Sequence, residues 1–388
     1  MSNAPIFHID PQAFWIDPYP TLAKMRRDAP IAYVPELDAT LLTCRDDIFC
    51  EEKRIEVFSS EQPGGLMTTL MGENMMRKDG AAHLAERKMI FPTVSPRTVR
   101  DVWKTKFEST TSKILDQLAP IQTADLVSDF AMPVSAEALK AITGLTNMHF
   151  AEMDRVSQGM IDGVGNYAGD PQVEANCHDC TASIDAHIDA QIPVLKANPD
   201  MSLLSVSMNA GMPEQQIRAN IKLAISGGQN EPRDAIAGTI ATLIEHPDQL
   251  DKALNGEVTW LQVFEEYARW MSPIGMSPRR IAKHYTLNDI TFEPEDRAFL
   301  MFASGNRDKA IFINSDTFDV TRDNTKAISF GAGPHFCAGA WASRCMIADV
   351  ALPMFFARFP NLTLTEPVAY RGWAFRGPLS VKAAGLVQ

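Results

Sequence analysis

The sequence predicts a mainly α-helical protein, with a large helical body built on one long central helix and a smaller β-rich lobe. Three observations predict it. Residues 97–200 carry helical periodicity almost throughout. Pro213 to Glu245 is long enough, at about 1.5 Å per residue, to run roughly 50 Å before His246-Pro247 ends it. Tyr285 to Phe302 reads as short strands.

Taken in order, Asp17-Pro18-Tyr19-Pro20 followed by Thr21 to Asp28 reads as a capped helix with proline at its start. Ile31 to Val34 and Thr40 to Thr43 are strand candidates, and Arg45 to Lys53 is a further helix. After the polar punctuation of Ser59 to Gly65 comes Leu66 to Met76, rich in methionine and irregular in period. Such a stretch is a surface loop or the lining of an adaptable pocket. Asp79 to Pro92 places His83 and Arg87 at i, i+4 on one helical face, where a solvated polar face is the ordinary explanation. Val99–Leu118, Leu126–Thr143, Asn147–Met160 and Val173–Ala197 are the next helices, with a loop at Asn166 to Pro171. The central helix is interrupted by Gly227-Gly228-Gln229-Asn230-Glu231-Pro232. Two glycines weaken it, and Pro232 has no N–H for the Gly228 carbonyl, so a bulge or kink is expected there. Glu266 and Arg269 form an i, i+3 pair, and Gly372 to Pro378 reads as a hairpin.

Composition narrows the function. The chain has 388 residues, 45% hydrophobic and 22% charged, the balance of a soluble globular protein. One large core and a single catalytic domain over 1–388 are expected. A net charge of −12 argues against general nucleic-acid binding. No stretch approaches the roughly 20 apolar residues of a membrane span. Met1 to Asp17 lacks a basic and apolar leader pattern, so a cytoplasmic protein is expected. Six cysteines do not suggest a disulfide framework. Cys44, Cys50 and Cys345 read as buried thiols. Cys177-His178-Asp179-Cys180 has metal-ligand spacing but no second pair to complete four ligands.

The most informative stretch is Phe330-Gly331-Ala332-Gly333-Pro334-His335-Phe336-Cys337-Ala338-Gly339, which opens onto the apolar segment Ala340 to Phe359. A helix N-terminus favours an ionised thiolate through its free backbone N–H groups. The glycines permit tight turns and close approach of a flat ligand. A buried structural cysteine is the plain alternative. The spacing Phe-Gly-x-Gly-x-His-x-Cys-x-Gly, with Arg344 seven residues after the cysteine, resembles the haem-thiolate loop of the cytochrome P450 family. The likeness covers nearly the whole chain.

The resemblance implies that Cys337 is the axial ligand of the iron of haem b (iron protoporphyrin IX), within a loop that includes His335 and Gly339. It implies that His83, Arg87 and Arg280 contact the haem propionates, carboxylates that want cationic or hydrogen-bonding partners. It makes Glu266, Arg269 and Arg322 a structural ion network. It puts Met67, Gly227, Gly228, Ile274 and Phe375 along the substrate pocket. The family usually carries an acidic residue and then threonine in the central helix, which order water and deliver protons to bound oxygen. Here Asn230 and Glu231 stand in those places. Glu231 is open to three readings: a proton relay through water, a hydrogen-bond partner of a polar substrate group, or a structural ion pair.

The activity implied is insertion of one oxygen atom of O2 into a C–H bond of a small organic substrate. Two electrons would come from a ferredoxin or a flavin/iron–sulfur reductase using NAD(P)H, since no flavin or cluster motif occurs here. The Asn-Glu-Pro segment and the Gly372–Pro378 tail are similar to those of aromatic O-demethylases of the family. That likeness implies loss of an O-methyl group as formaldehyde. Alternatives are a hydrogen-peroxide-driven peroxygenase and a haem protein that binds ligands without turnover.

Overall fold

The computed structural model describes residues 2–386. The chain forms two compact units. A helical unit comprises Pro63–Ile240, Ala338–Pro367 and the chain from Ser380, and a mixed unit comprises the chain up to Gln62, Ala241–Cys337 and Val368–Leu379.

In the helical unit the main elements are α1 (Gly80–Val94), α2 (Met132–Thr143), α3 (Phe150–Val164), α4 (Pro171–Ala197), α5 (Glu214–Ser226) and most of α6 (Asn230–Glu245), whose residues from Ala241 count with the mixed unit. Their boundaries follow local chemistry. Asp170 caps α4 by accepting from the Gln172 N–H, with proline in the first turn. The last turn of α2 closes on Gly144 at φ +88°. The core gathers Met153, Val156 and Met160 of α3, Ile184 and Ile188 of α4, and Ile217, Ile221 and Ile225 of α5. The spacing of three or four within each helix is that of one apolar stripe. Cys177 and Cys180 of α4 are buried against Gly163 and Gly159 of α3, where any Cβ would come within 2.6 Å of a sulfur. Their metal-like spacing is a packing contact in this structure.

The long central helix expected over 213–245 is two helices. α5 stops at Ser226, and Gly227-Gly228-Gln229 forms a turn before α6 begins. A Cβ at Gly228 would lie 2.5 Å from the Ala224 carbonyl oxygen, so only glycine makes this turn unstrained. Leu66–Met71 is a short helix where irregular loop was expected, with Met67 packed against the helical core.

The mixed unit is built on a five-stranded sheet of β1 (Ile31–Val34), β2 (Ala39–Leu42), β3 (Phe58–Ser59), β4 (Ser277–Ile281) and β5 (Arg297–Leu300). Strand order is β1-β2-β5-β4-β3, antiparallel except for β2 beside β5. β4 lay hidden in the sequence because Ser-Pro-Arg-Arg has no apolar alternation. Apolar clusters form around Phe58, Phe292 and Leu300 and around Phe14, Met25 and Phe299. Helix α7 (Trp260–Met271) starts with a complete capping box between Thr259 and Gln262.

Two expectations are corrected. Cys50 is exposed and Cys44 only part-buried, because both sit at the ends of the short helix Arg45–Glu51 rather than on its inner face. Ala340–Arg358 is long and apolar enough by composition to cross a membrane, although 61% of it is buried inside the protein. Its interior carries the π-helical turn Cys345–Ala351.

Candidate active site

The cysteine loop belongs to the mixed unit. It is pinned by the Cys337 N–H donating to the Phe330 carbonyl at 2.9 Å, and Gly333–His335 forms one 3-10 turn inside it. Phe330 packs near Phe264 of α7 and Phe336. Gly331 takes φ +70°, and a Cβ there would come 2.8 Å from Glu52 Oε1. The Cys337 thiol is exposed, and helical structure begins three residues later at Ala340, with Gly339 at the N-cap.

Beneath the loop lies a charged pair that the sequence did not single out. Glu52 is buried and takes a hydrogen bond from the Ala332 N–H, and buried Arg279 of β4 approaches it at 3.5 Å. Burial pushes the Glu52 carboxyl up to about 7, against the pull of Arg279. Because strand side chains alternate, neighbouring Arg280 points the other way. It donates to Glu295 at 2.6 Å and to the Glu61 carbonyl at 2.9 Å. Ile274 bridges Phe375, and the Gly275 N–H donates to the Ala374 carbonyl at 2.8 Å, so the tail hairpin lies along this segment. The Phe375 side chain is exposed.

The Glu266–Arg269 pair is fully buried, at 0% exposure on both sides. Arg269 donates to both carboxylate oxygens at 2.7 Å and to the Asn306 and Ser315 carbonyls. Arg322 adds a third contact to Glu266 at 3.2 Å. Every member is hydrogen-bonded, which a buried charge requires.

In the helical unit, α1 carries buried His83 and half-buried Arg87 on one flank. The neighbouring Glu86 is held by Lys78 and by the Asn220 amide of α5 at 2.7 Å. This ties the end of the methionine-rich stretch to α1 and α5.

At the break of the central helix, Gly227 is exposed and Gly228 part-buried. The Ser135 hydroxyl donates to the Gln229 carbonyl at 2.8 Å. The Asn230 amide donates to Gln158 at 2.8 Å. Glu231 keeps some surface on its stem, but both carboxylate oxygens are sealed from solvent and take no hydrogen bond from another side chain. Desolvation raises its carboxyl to about 7, reinforced by Asp234 and opposed by a backbone hydrogen bond and Arg233. A carboxyl poised there can hold or release a proton near neutrality.

No family model matches the chain. Curated proteins do. Cytochrome P450 107B1 of Saccharopolyspora erythraea is 25% identical over 386 residues, covering 94% of this chain and 93% of that protein. Linalool 8-monooxygenase of Pseudomonas putida is 24% identical over 355 residues, covering 83% of this chain and 84% of its own. The crystal structure of P450BioI, solved in complex with hexadec-9Z-enoic acid ligated acyl carrier protein, has a TM-score of 0.88 at 21% identity. It covers 97% of this chain and 100% of that one. Over nearly its whole length the chain is similar to cytochrome P450s, and its fold is that of the solved cytochrome P450 structures. It is an oxidoreductase of the monooxygenase kind, and the cofactor of a cytochrome P450 is haem.

The residues present fit that group. Cys337 is an exposed thiol in a loop held by its backbone bond to Phe330, and His335, Arg280, His83 and Arg87 are donors of the kind carboxylates require. Among the described residues there is no cluster of ligands for a bare metal ion. Glu52, Arg279, Lys78, Glu86 and Asn220 escaped sequence reasoning, because nothing in the sequence around them announces their partners.

Proposed function

We propose that this protein is a haem-thiolate monooxygenase in which Cys337 ligates the iron of haem b and Glu231 manages protons at the oxygen-binding side. His83, Arg87, Arg280 and His335 meet the propionates, and the two units serve as one catalytic domain. The observation that carries the reading is the exposed Cys337 thiol, held by its backbone bond to Phe330 just ahead of a helix N-terminus. When bound, haem supplies activation of O2 with two electrons and transfer of one oxygen atom to a C–H bond.

The chain's own residues do the rest. Glu231, with a carboxyl near 7, holds a proton in its sealed position and donates it where the family's usual alcohol is missing. Met67, Ile274 and Phe375 give the substrate apolar contact, and Gly227 and Gly228 leave room beside Glu231. The sharpest substrate is a small methoxylated compound, whose hydroxylated methyl group collapses to an alcohol or phenol and formaldehyde. Electrons come from a ferredoxin or a flavin/iron–sulfur reductase using NAD(P)H, in the cytoplasm. The test is the reduced carbon monoxide spectrum. The wild type is expected to absorb at the thiolate position and Cys337→Ala to lose that band, and an unchanged spectrum in the variant rejects the assignment. The substrate is tested by formaldehyde release from methoxylated aromatics and sugars.

A second reading is favoured by the carboxyl in place of an alcohol at 231. Hydrogen peroxide serves as the oxidant, with Glu231 as its acid–base group. Turnover with peroxide and none with a reductase and NAD(P)H selects it.

A further inference from the structure

We propose that Asp154 of α3 is a positioning residue for Glu231, clamping the two ends of the segment that carries it. One oxygen of Asp154 accepts two hydrogen bonds: from Gln229 Nε2 at 3.0 Å and from Arg233 Nη1 at 2.9 Å. Gln229 lies two residues before Glu231 and Arg233 two after. A single carboxylate therefore bridges Glu231 from both sides.

The chain needs such a bridge at this point. Backbone bonding is thin here, because Pro232 offers no N–H to Gly228 and the turn contains two glycines. Side chains replace what the backbone lost. Ser135 of α2 donates to the Gln229 carbonyl, Gln229 also reaches the Met132 carbonyl at 3.4 Å, and Asn230 donates to Gln158. Gln158 sits four residues after Asp154 on the same face of α3, so one helix holds the segment at two levels. The Asp154–Arg233 pair is largely removed from water, with side-chain exposures of 24% and 15%, so it is screened less than a surface pair.

The charged groups around Glu231 are few. Arg233 and Asp234 act on it from its own helix, Arg233 donating to Asp234 at 2.9 Å, and Asp154 comes from α3. α2 contributes the uncharged Ser135 hydroxyl and Met132 carbonyl. With Asp154 in place the segment is closed and the Glu231 oxygens stay dry. Without it, Gln229 and Arg233 each lose a partner, the glycine turn relaxes, and water reaches the carboxyl. The functional meaning rests on the reading of Glu231 as the proton-handling group, whereas the clamp itself does not.

The test measures the Glu231 proton directly in the holoprotein. The infrared band of the protonated carboxyl, identified by its loss in Glu231→Gln, is followed against pH in the wild type, D154A and D154N. The wild-type midpoint is expected near 7. In D154A it is expected to fall by roughly one pH unit or more as water replaces desolvation. Amide exchange across 228–234 is expected to rise roughly tenfold. D154N keeps an oxygen acceptor for both donors and is expected to return exchange to within about twofold of wild type. If D154A does not fold, D154S, whose hydroxyl is too short to span both donors, takes its place. An unchanged midpoint in D154A or D154S overturns the proposal, including the case where exchange rises and the midpoint stays. Neither readout needs turnover or substrate, so a failure here is distinct from a failure of the monooxygenase reading.

Discussion

Glu231→Gln is expected to make the protein more stable, and increasingly so as pH rises. The carboxyl sits at about 7 in the fold against 4.5 for an ordinary glutamate. Below 4.5 it is protonated in folded and unfolded chains alike, and its burial carries no ionisation cost. As pH climbs from 4.5 towards 7 the unfolded chain releases this proton first, so the fold loses stability through that window and levels off above it. The full loss corresponds to about 3 kcal/mol. Glutamine is neutral at every pH, so the substitution removes the loss. The gain is expected to be about 1 kcal/mol at pH 5 and about 3 kcal/mol at pH 8. Urea unfolding at both pH values measures it, and at pH 8 the midpoint is expected to move up by roughly 1 M. Glu52 titrates in the same window for the same reason, and it cancels in the difference between variant and wild type. A gain of equal size at both pH values, or none at pH 8, refutes the argument that Glu231 is buried as a neutral acid.

Further outcomes follow from other parts of the structure. Glu266→Gln leaves the fully buried Arg269 charge uncompensated and is expected to cost about 3–5 kcal/mol, read from the urea midpoint. Gly228→Ala is expected to destabilise by at least about 1 kcal/mol, because its Cβ meets the Ala224 carbonyl oxygen; a wild-type thermal midpoint would count against the turn as described. Gly331→Ala forces a side chain into both a left-handed backbone and the Glu52 carboxyl, and haem retention after gel filtration is expected to fall. Phe375→Ala is expected to weaken the substrate-induced haem spin shift several-fold while leaving the carbon monoxide spectrum intact, since the residue lies on the tail hairpin beside Ile274.

What the sequence made legible was local. The cysteine loop shows because its glycines, histidine and cysteine lie within ten residues. Glu266 and Arg269 show because a helix brings i and i+3 together. The helical body shows because its stripes repeat, and the break at Gly227-Gly228 because glycine and proline act on their own backbone. The rest depends on partners far along the chain. Nothing near Glu86 announces Asn220, 134 residues away, and nothing near Asp154 announces Arg233, 79 residues on. β4 lacks apolar alternation because its inward position is an arginine, and the partner that lets it be buried, Glu52, lies far away in the sequence. The same strand shows how side chains can be arranged in a way that a motif does not reveal. Arg280, expected at the propionates, is engaged by Glu61 and Glu295, and Arg279 is the arginine that reaches toward the cysteine loop through Glu52.

The triad of Glu266, Arg269 and Arg322 also bears on how the chain reaches this structure. Glu266 and Arg269 are brought together early by one helical turn, but the third member, Arg322, lies 56 residues from Glu266. Until the loop between them closes, Asn306, Ser315 and Thr317 cannot offer their carbonyls to Arg269, and the guanidinium has every reason to remain in water. Burying the inner face of α7 without the segment that follows it would leave the Arg269 charge short of partners. The charges therefore couple the burial of α7 to the stretch leading to Cys337, and the two are expected to lose amide protection together.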